Sequence, residues 1–250
     1  MKQPEHSVKH TAAKDGVTVW GMGTIRSLRV YWTLEELGIH YESFPVHPRS
    51  GQTYSAEFLK LNPRHKVPVM KHNALVITES AAIIEYLSDA FALPQGFFAP
   101  QSPTDRVRLR EWSFFVMSEL DAHTLYVIRR HVYLKDLYGE AHTAVCAAEA
   151  YFHDQLDAVA SSVGQPGPYL LGDKFSTADI LLTSCLDWAA EYGLAVPQPV
   201  YDYHRRCVSR PAYLRALKTT FPDSPPPDMT PKLRSGKWDP STSVYSGAKQ

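Results

Sequence analysis

Residues 62–70 read NPRHKVPVM, and the proline inside that stretch decides the fold. Val67, Val69 and Met70 look like the start of a strand, yet Pro68 stands among them, where it removes a ladder N–H and a central strand should not tolerate it. The conflict disappears if the Val67–Pro68 bond is cis, because the Val67 backbone then turns outward at a junction between loop and strand. Only about 5 to 6% of X-Pro bonds are cis, so this stretch alone leaves the isomer open.

Downstream, a His72-Asn73 turn and LVIT (75–78) complete a hairpin with VPVM, and ESAAIIEYLSDAF (79–91) follows as a helix. Upstream, VTVW (17–20) is a β-rich run before a GMG turn. Next, IRSLRVYWTLEELG (25–38) carries Ile25, Leu28, Trp32 and Leu37 at near-helical intervals and stops at Gly38. YESFPV (41–46) is a second strand, and HPRSGQTYSAEF (47–58) a loop with at most one helical turn. The order is strand, helix, strand, loop, strand, strand, helix, about the size of a small domain.

FALPQGFFAPQSP (91–103) then reads as a linker, and the texture changes beyond it. Three long helical stretches follow, 104–134, 141–163 and 175–193, with no convincing strand among them. Ser176 and Asp179 have capping-box spacing, a folding signal worth ~1 kcal/mol. Residues 221–250, rich in proline, serine and charge, read as an irregular tail. The expected division is therefore an extension over 1–16, an α/β domain over 17–90, a linker over 91–103, an all-helical domain over 104–220 and the tail.

Across 250 residues, 26 basic and 26 acidic side chains cancel, which removes the electrostatic basis for a nucleic-acid or anionic-membrane partner. No apolar run approaches the ~20 residues needed to cross a bilayer, and the first sixteen residues lack the apolar centre of a secretory signal, so a cytoplasmic location is expected. Cys146, Cys185 and Cys207 stand far apart and read as buried small apolar residues in a reducing compartment. Eleven histidines, among them His123, His131, His142 and His153, show no metal-site spacing, and no metal is expected.

LNPRHKVPVM followed by LVITESAAIIEYL, with FSTADI about a hundred residues later, resembles the cytosolic glutathione transferases from Val17 to about Leu217. The resemblance implies a thioredoxin-like first domain and an all-helical second, in agreement with the periodicity. It also implies a cis Pro68 that presents the Val67 backbone to the cysteinyl part of glutathione. Glu79 and Ser80 would meet the ammonium and carboxylate of the γ-glutamyl end at a helix N-terminus. Lys66 would reach the glycyl carboxylate, or else be a solvated loop lysine. Members of the family are usually homodimers, so a homodimer is expected.

Thr24-Ile25-Arg26-Ser27 stands where a thioredoxin carries CxxC, so any sulfur chemistry needs a thiol from outside. A free thiol has a pKa near ~8.5, and one hydroxyl hydrogen bond plus a helix N-terminus can depress it by about one or two units. Thr24 is the candidate donor to that thiolate, a hydroxyl-type site, and Trp20 stands where tyrosine-type members carry a phenol. The plain alternative is that Thr24 only caps the helix. Ser27 and Arg26 either supply a second donor or are ordinary helix positions. Trp112, Phe115 and Glu119 share one helix face and form the candidate wall for a hydrophobic electrophile, or else belong to the core or a dimer contact. The expected activity is transfer of glutathione to such an electrophile. Glutathione-dependent reduction, ether cleavage or isomerisation, a ligand carrier and a non-enzymatic binding module are the alternatives.

Overall fold

The computed structural model describes residues 15–222 and 229–244, so nearly all of the expected N-terminal extension lies outside it. The first domain is β1 (Val17–Trp20), α1 (Ile25–Leu37), β2 (Tyr41–Phe44), α2 (Ala56–Leu61), β3 (Val69–His72), β4 (Leu75–Thr78) and α3 (Ser80–Ala90). Its four strands lie in the order β2-β1-β3-β4, with β1 and β2 parallel and the other pairs antiparallel. This is the thioredoxin-like arrangement expected from the sequence. The Val67–Pro68 peptide is cis, and a second cis bond joins Gln165 and Pro166.

Helix α1 ends at Gly38, whose φ of 66° is a left-handed cap that a side chain would oppose. Every residue from Ser27 to Leu34 is buried, because the sheet covers one side of α1 and the second domain covers the other. A helix apolar on a single stripe could not be placed so.

The second domain opens with α4 (Pro103–Phe115), capped by Ser102 and Asp105, which exchange both bonds of a capping box. The linker therefore ends in a helix start. The helix continues in wider π-type turns over Val116–Leu125, passes through α5 (Tyr126–Ile128) and returns to wide turns over Arg129–Tyr133. After α6 (Lys135–Tyr138) come α7 (His142–Ala160), α8 (Thr177–Glu191), α9 (Gln198–Val208) and α10 (Pro211–Thr220). At the start of α8, Asp179 takes the Ser176 N–H at 2.8 Å and also the Leu170 N–H and the Tyr203 hydroxyl, so this buried carboxylate ties a loop and α9 to the cap.

Two expectations change here. The second region is not strand-free, since β5 (Ala195–Val196) pairs in parallel with β6 (Lys232–Leu233). Residues 229–244, expected as irregular tail, form a strap across the helices. Trp238 stacks on His153, Arg234 pairs with Asp157, and the Val244 N–H reaches Glu149 at 3.2 Å. The remaining tail residues, 223–228 and 245–250, lie outside the described residues.

One core runs through both domains. Trp32 on α1 packs its ring against Phe175 and Tyr213, and Arg210 makes a two-pronged pair with Glu36. Cys185 and Cys207 are buried in that core as expected, whereas Cys146 is partly exposed beside His142, one turn earlier on α7.

Candidate active site

Strand register brings the site together. Val69 faces Trp20 on one side and Thr78 on the other, so two residues earlier Val67 is flanked by the β1–α1 turn and by Ser80 at the tip of α3. The turn lies close. A Cβ built on Gly21 would stand 2.8 Å from the Val67 Cβ, at a φ of 132° that also excludes side chains. The Val67 N–H and carbonyl take no protein partner among the described residues, so both remain available to an extended ligand. Asn62 donates to the Lys66 carbonyl at 2.9 Å and fixes the approach to that peptide.

Thr24 is the N-cap of α1. Its hydroxyl oxygen accepts the Ser27 N–H at 3.0 Å and lies 2.9 Å from the Ser27 hydroxyl. Capping and thiolate binding do not compete, because the cap uses an acceptor lone pair and a thiolate needs the hydroxyl proton. Ser27 is fully buried beneath Thr24, which removes it from direct contact with a ligand.

Ser80 is 3% exposed, and its hydroxyl accepts from the Arg29 guanidinium at 3.3 Å, which leaves the hydroxyl proton for another acceptor. Glu79, at φ 68°, holds a backbone conformation costly for a residue with a side chain and sets its exposed carboxylate 3.3 Å from Arg64. Arg29, which sequence reasoning missed, organises this region. It is fully buried and pairs with Asp121 at 2.8 Å while also donating to Ser184 and reaching Cys185. Asp121 pairs with Arg26 too. Burial opposes the charge on Asp121, but the two guanidinium groups prevail and hold its pKa below the ordinary carboxylate value. A charged residue in an otherwise apolar run, LRVYW, was the available signal.

Thr24, Lys66 and Val67 open onto one cleft of about 750 Å³ between the domains. Its far wall is aromatic: Tyr126, Tyr133, Tyr138, Trp188 and Tyr192, joined by Leu134 and Leu137. Tyr133 and Tyr192 stack at 4.2 Å. Four of the large apolar side chains that remain exposed, Tyr54, Tyr133, Leu137 and Tyr138, line this cleft, and such concentration marks a binding surface.

The expected wall of Trp112, Phe115 and Glu119 is not there. Trp112 and Phe115 line a separate groove of about 380 Å³ with Ala158 and Val159, and Glu119 accepts from Tyr151 at 2.8 Å. Further along the same run of helical turns, the residues that line the cleft with Thr24 begin at Tyr126. A count from Trp112 at 3.6 residues per turn puts Tyr126 on the same face, and the wider π-type turns over Val116–Leu125 change that phase. Pro68, Glu79 and Ser80 lie beyond the cleft's lining, on the Val67 side set by the register.

The N-terminal domain model of the glutathione S-transferases matches residues 15–89, and the C-terminal domain model matches 115–211. Maleylacetoacetate isomerase of Mus musculus is 31% identical over 160 residues, covering 62% of this chain and 69% of that one. Protein LigF of Sphingobium sp. (strain NBRC 103272 / SYK-6) is 38% identical over 90 residues, a match that spans only 36% of this chain and 35% of that one. Among solved structures, the theta class glutathione S-transferase of Xanthomonas axonopodis pv. citri, with glutathione bound, superposes with a TM-score of 0.65 at 26% identity over 81% of this chain and 97% of its own. A thioredoxin-like domain carrying a cis-proline loop, joined to a helical domain that closes the cleft, thus agrees with both halves of the comparison, and the chain belongs to the glutathione S-transferase family.

Proposed function

We propose that this protein binds glutathione along the Val67 edge and transfers it to an electrophilic carbon of a co-substrate in the aromatic cleft. The observation that carries this reading is the convergence of the Thr24 hydroxyl, the α1 N-terminus and the free Val67 backbone at one cleft. Val67 would pair with the cysteinyl backbone, Ser80 and Glu79 with the γ-glutamyl end, and Lys66 with the glycyl carboxylate. Residues of both charges are present where that ligand needs them.

In this mechanism the Ser27 hydroxyl donates to Thr24, so Thr24 directs its own proton at the sulfur. Thiolate formation releases the thiol proton to solvent. The sulfur lone pair then forms a C–S bond, and the leaving group departs with the electron pair of the broken bond. Thr24 stabilises charge and is never a base, and holding both reactants in one cleft supplies proximity.

Ether cleavage is the second reading, favoured by the similarity to Protein LigF over 90 residues. It uses the same attack with an aryloxide as leaving group. A homodimer accords with exposed Leu75 and Val76 on the edge strand β4 and with Val107 and Phe114 on α4. A reducing, cytoplasmic setting accords with three free thiols, and no helix among the described residues is long and apolar enough to cross a membrane. No group of three or more His, Cys, Asp or Glu side chains placed to hold a metal occurs among the described residues.

Calorimetric titration with glutathione, followed by a spectrophotometric assay with 1-chloro-2,4-dinitrobenzene, tests the proposal. Heat of binding and turnover are expected. Absence of binding overturns the enzymatic reading, and binding without turnover of aryl halides or aryl ethers leaves a carrier.

A further inference from the structure

The aromatic wall is surrounded by an excess of positive charge. Three guanidinium groups gather about the Tyr126 ring, with Arg26 at 4.8 Å, Arg130 at 5.7 Å and Arg129 at 6.0 Å from its centre. Arg26 also lies over Trp188 at 5.4 Å, and Arg130 over Tyr138 at 4.4 Å. Arg49 lines the cleft from the opposite domain. Against these stand the carboxyl groups of Asp121, Glu191 and Glu149, the last two acting on Tyr133. Asp121 is shared between Arg26 and the buried Arg29, and Glu191 on the cleft rim feels both Arg129 and Arg49.

A protein of zero formal charge has therefore concentrated arginines around one set of rings. A purely apolar electrophile would cover these groups and give them no counter-charge, which costs free energy. A planar carboxylate meets a guanidinium fork through two parallel hydrogen bonds, and a flat ring meets the stacked pair Tyr133 and Tyr192.

We propose that the co-substrate is an aromatic carboxylate, its ring against Tyr126, Tyr133 and Tyr192 and its anionic group held by Arg129 and Arg26. This rests on the reading of the cleft as a co-substrate site and narrows it from hydrophobic electrophiles in general to anionic aromatic ones. Arg26 and Arg129 are specificity-determining residues in this scheme, and neither takes part in bond making.

The test compares 4-chloro-3-nitrobenzoate with its neutral amide, 4-chloro-3-nitrobenzamide, by calorimetry on the full chain without glutathione. The benzoate is expected to bind at least about tenfold tighter, with a preference that weakens as salt rises. Arg129→Gln, on a partly exposed rim residue, is expected to lower that preference several-fold, and Arg26→Gln to lower it further. Equal or tighter binding of the amide, no binding of either compound, or a preference unchanged in Arg129→Gln overturns the proposal, whether or not Arg26→Gln folds. Because glutathione is absent, a benzoate preference without any later turnover would remove the transferase reading alone.

Discussion

The hydroxyl oxygens of Thr24 and Ser27 stand 2.9 Å apart, one at the mouth of the cleft and the other fully buried beneath it. In the proposed mechanism Ser27 has a single productive orientation, donating to Thr24, because Thr24 can then offer its own proton to sulfur. Thr24→Val should raise the pKa of bound thiol by about one to two units and, through loss of the cap, destabilise the fold by ~1 kcal/mol. Ser27→Ala should produce a smaller rise, because Thr24 keeps its place but loses its orienting donor. Titration of thiolate absorbance in the glutathione complex measures both, and an unchanged curve in Thr24→Val removes the hydroxyl from the mechanism.

On the proposed reading Ser80→Ala should weaken glutathione binding about tenfold with a smaller change in kcat, since the hydroxyl would serve the γ-glutamyl end and not the reacting sulfur. Its loss also takes an acceptor from the fully buried Arg29, so a drop in stability of about 1 kcal/mol should accompany it. Calorimetry and urea unfolding on the same preparation separate the two effects.

Gly21→Ala should be among the most damaging small substitutions. The new methyl would meet Val67 at 2.8 Å and Ser27 at 3.0 Å, at a φ of 132°. Backbone strain alone costs about 1 to 3 kcal/mol, and relief by movement of Val67 would displace the ligand-facing peptide. Thermal unfolding and glutathione affinity should both fall.

Asp121→Asn should destabilise by about 3 to 5 kcal/mol, since it leaves the buried Arg29 uncompensated. The pH dependence follows from the lowered pKa of Asp121. Its contribution is complete above the unfolded value near 3.8 and is lost as pH falls through the still lower folded value. Denaturant midpoints at pH 7 and at about pH 3 should therefore differ more in the wild type than in Asp121→Asn.

Glu149 acts in the opposite sense. Burial beneath the strap raises its pKa to about 7 from 4.5, against the opposing bonds from Ser243 and the Val244 N–H. The fold is thus favoured while this group is protonated, and that advantage declines as pH rises from 4.5 through 7. Glu149→Gln, which keeps an acceptor for Val244, should flatten the decline and stabilise the protein above pH 7. Urea midpoints between pH 5 and pH 8 would show it.

Local chemistry along the chain determined a good deal: the hairpin around Asn73, the Gly38 stop, the Ser176 cap, the helices of the second half and a proline that needed a special backbone. These depend on neighbours in sequence, and each left a readable residue type. The isomer of Val67–Pro68, the burial of Ser27, the contacts of Arg29 and the lining of the cleft depend on what packs from elsewhere. Arg29 is satisfied by the π-type stretch Val116–Leu125, α3 and α8 together, which no spacing within α1 reveals. Trp112 and Phe115 open onto a separate groove whereas Tyr126 opens onto the cleft with Thr24, and the π-type turns of Val116–Leu125 lie between them. Sequence records what a residue prefers beside its neighbours, whereas a cleft between two domains is decided by distant side chains that meet only when the chain closes.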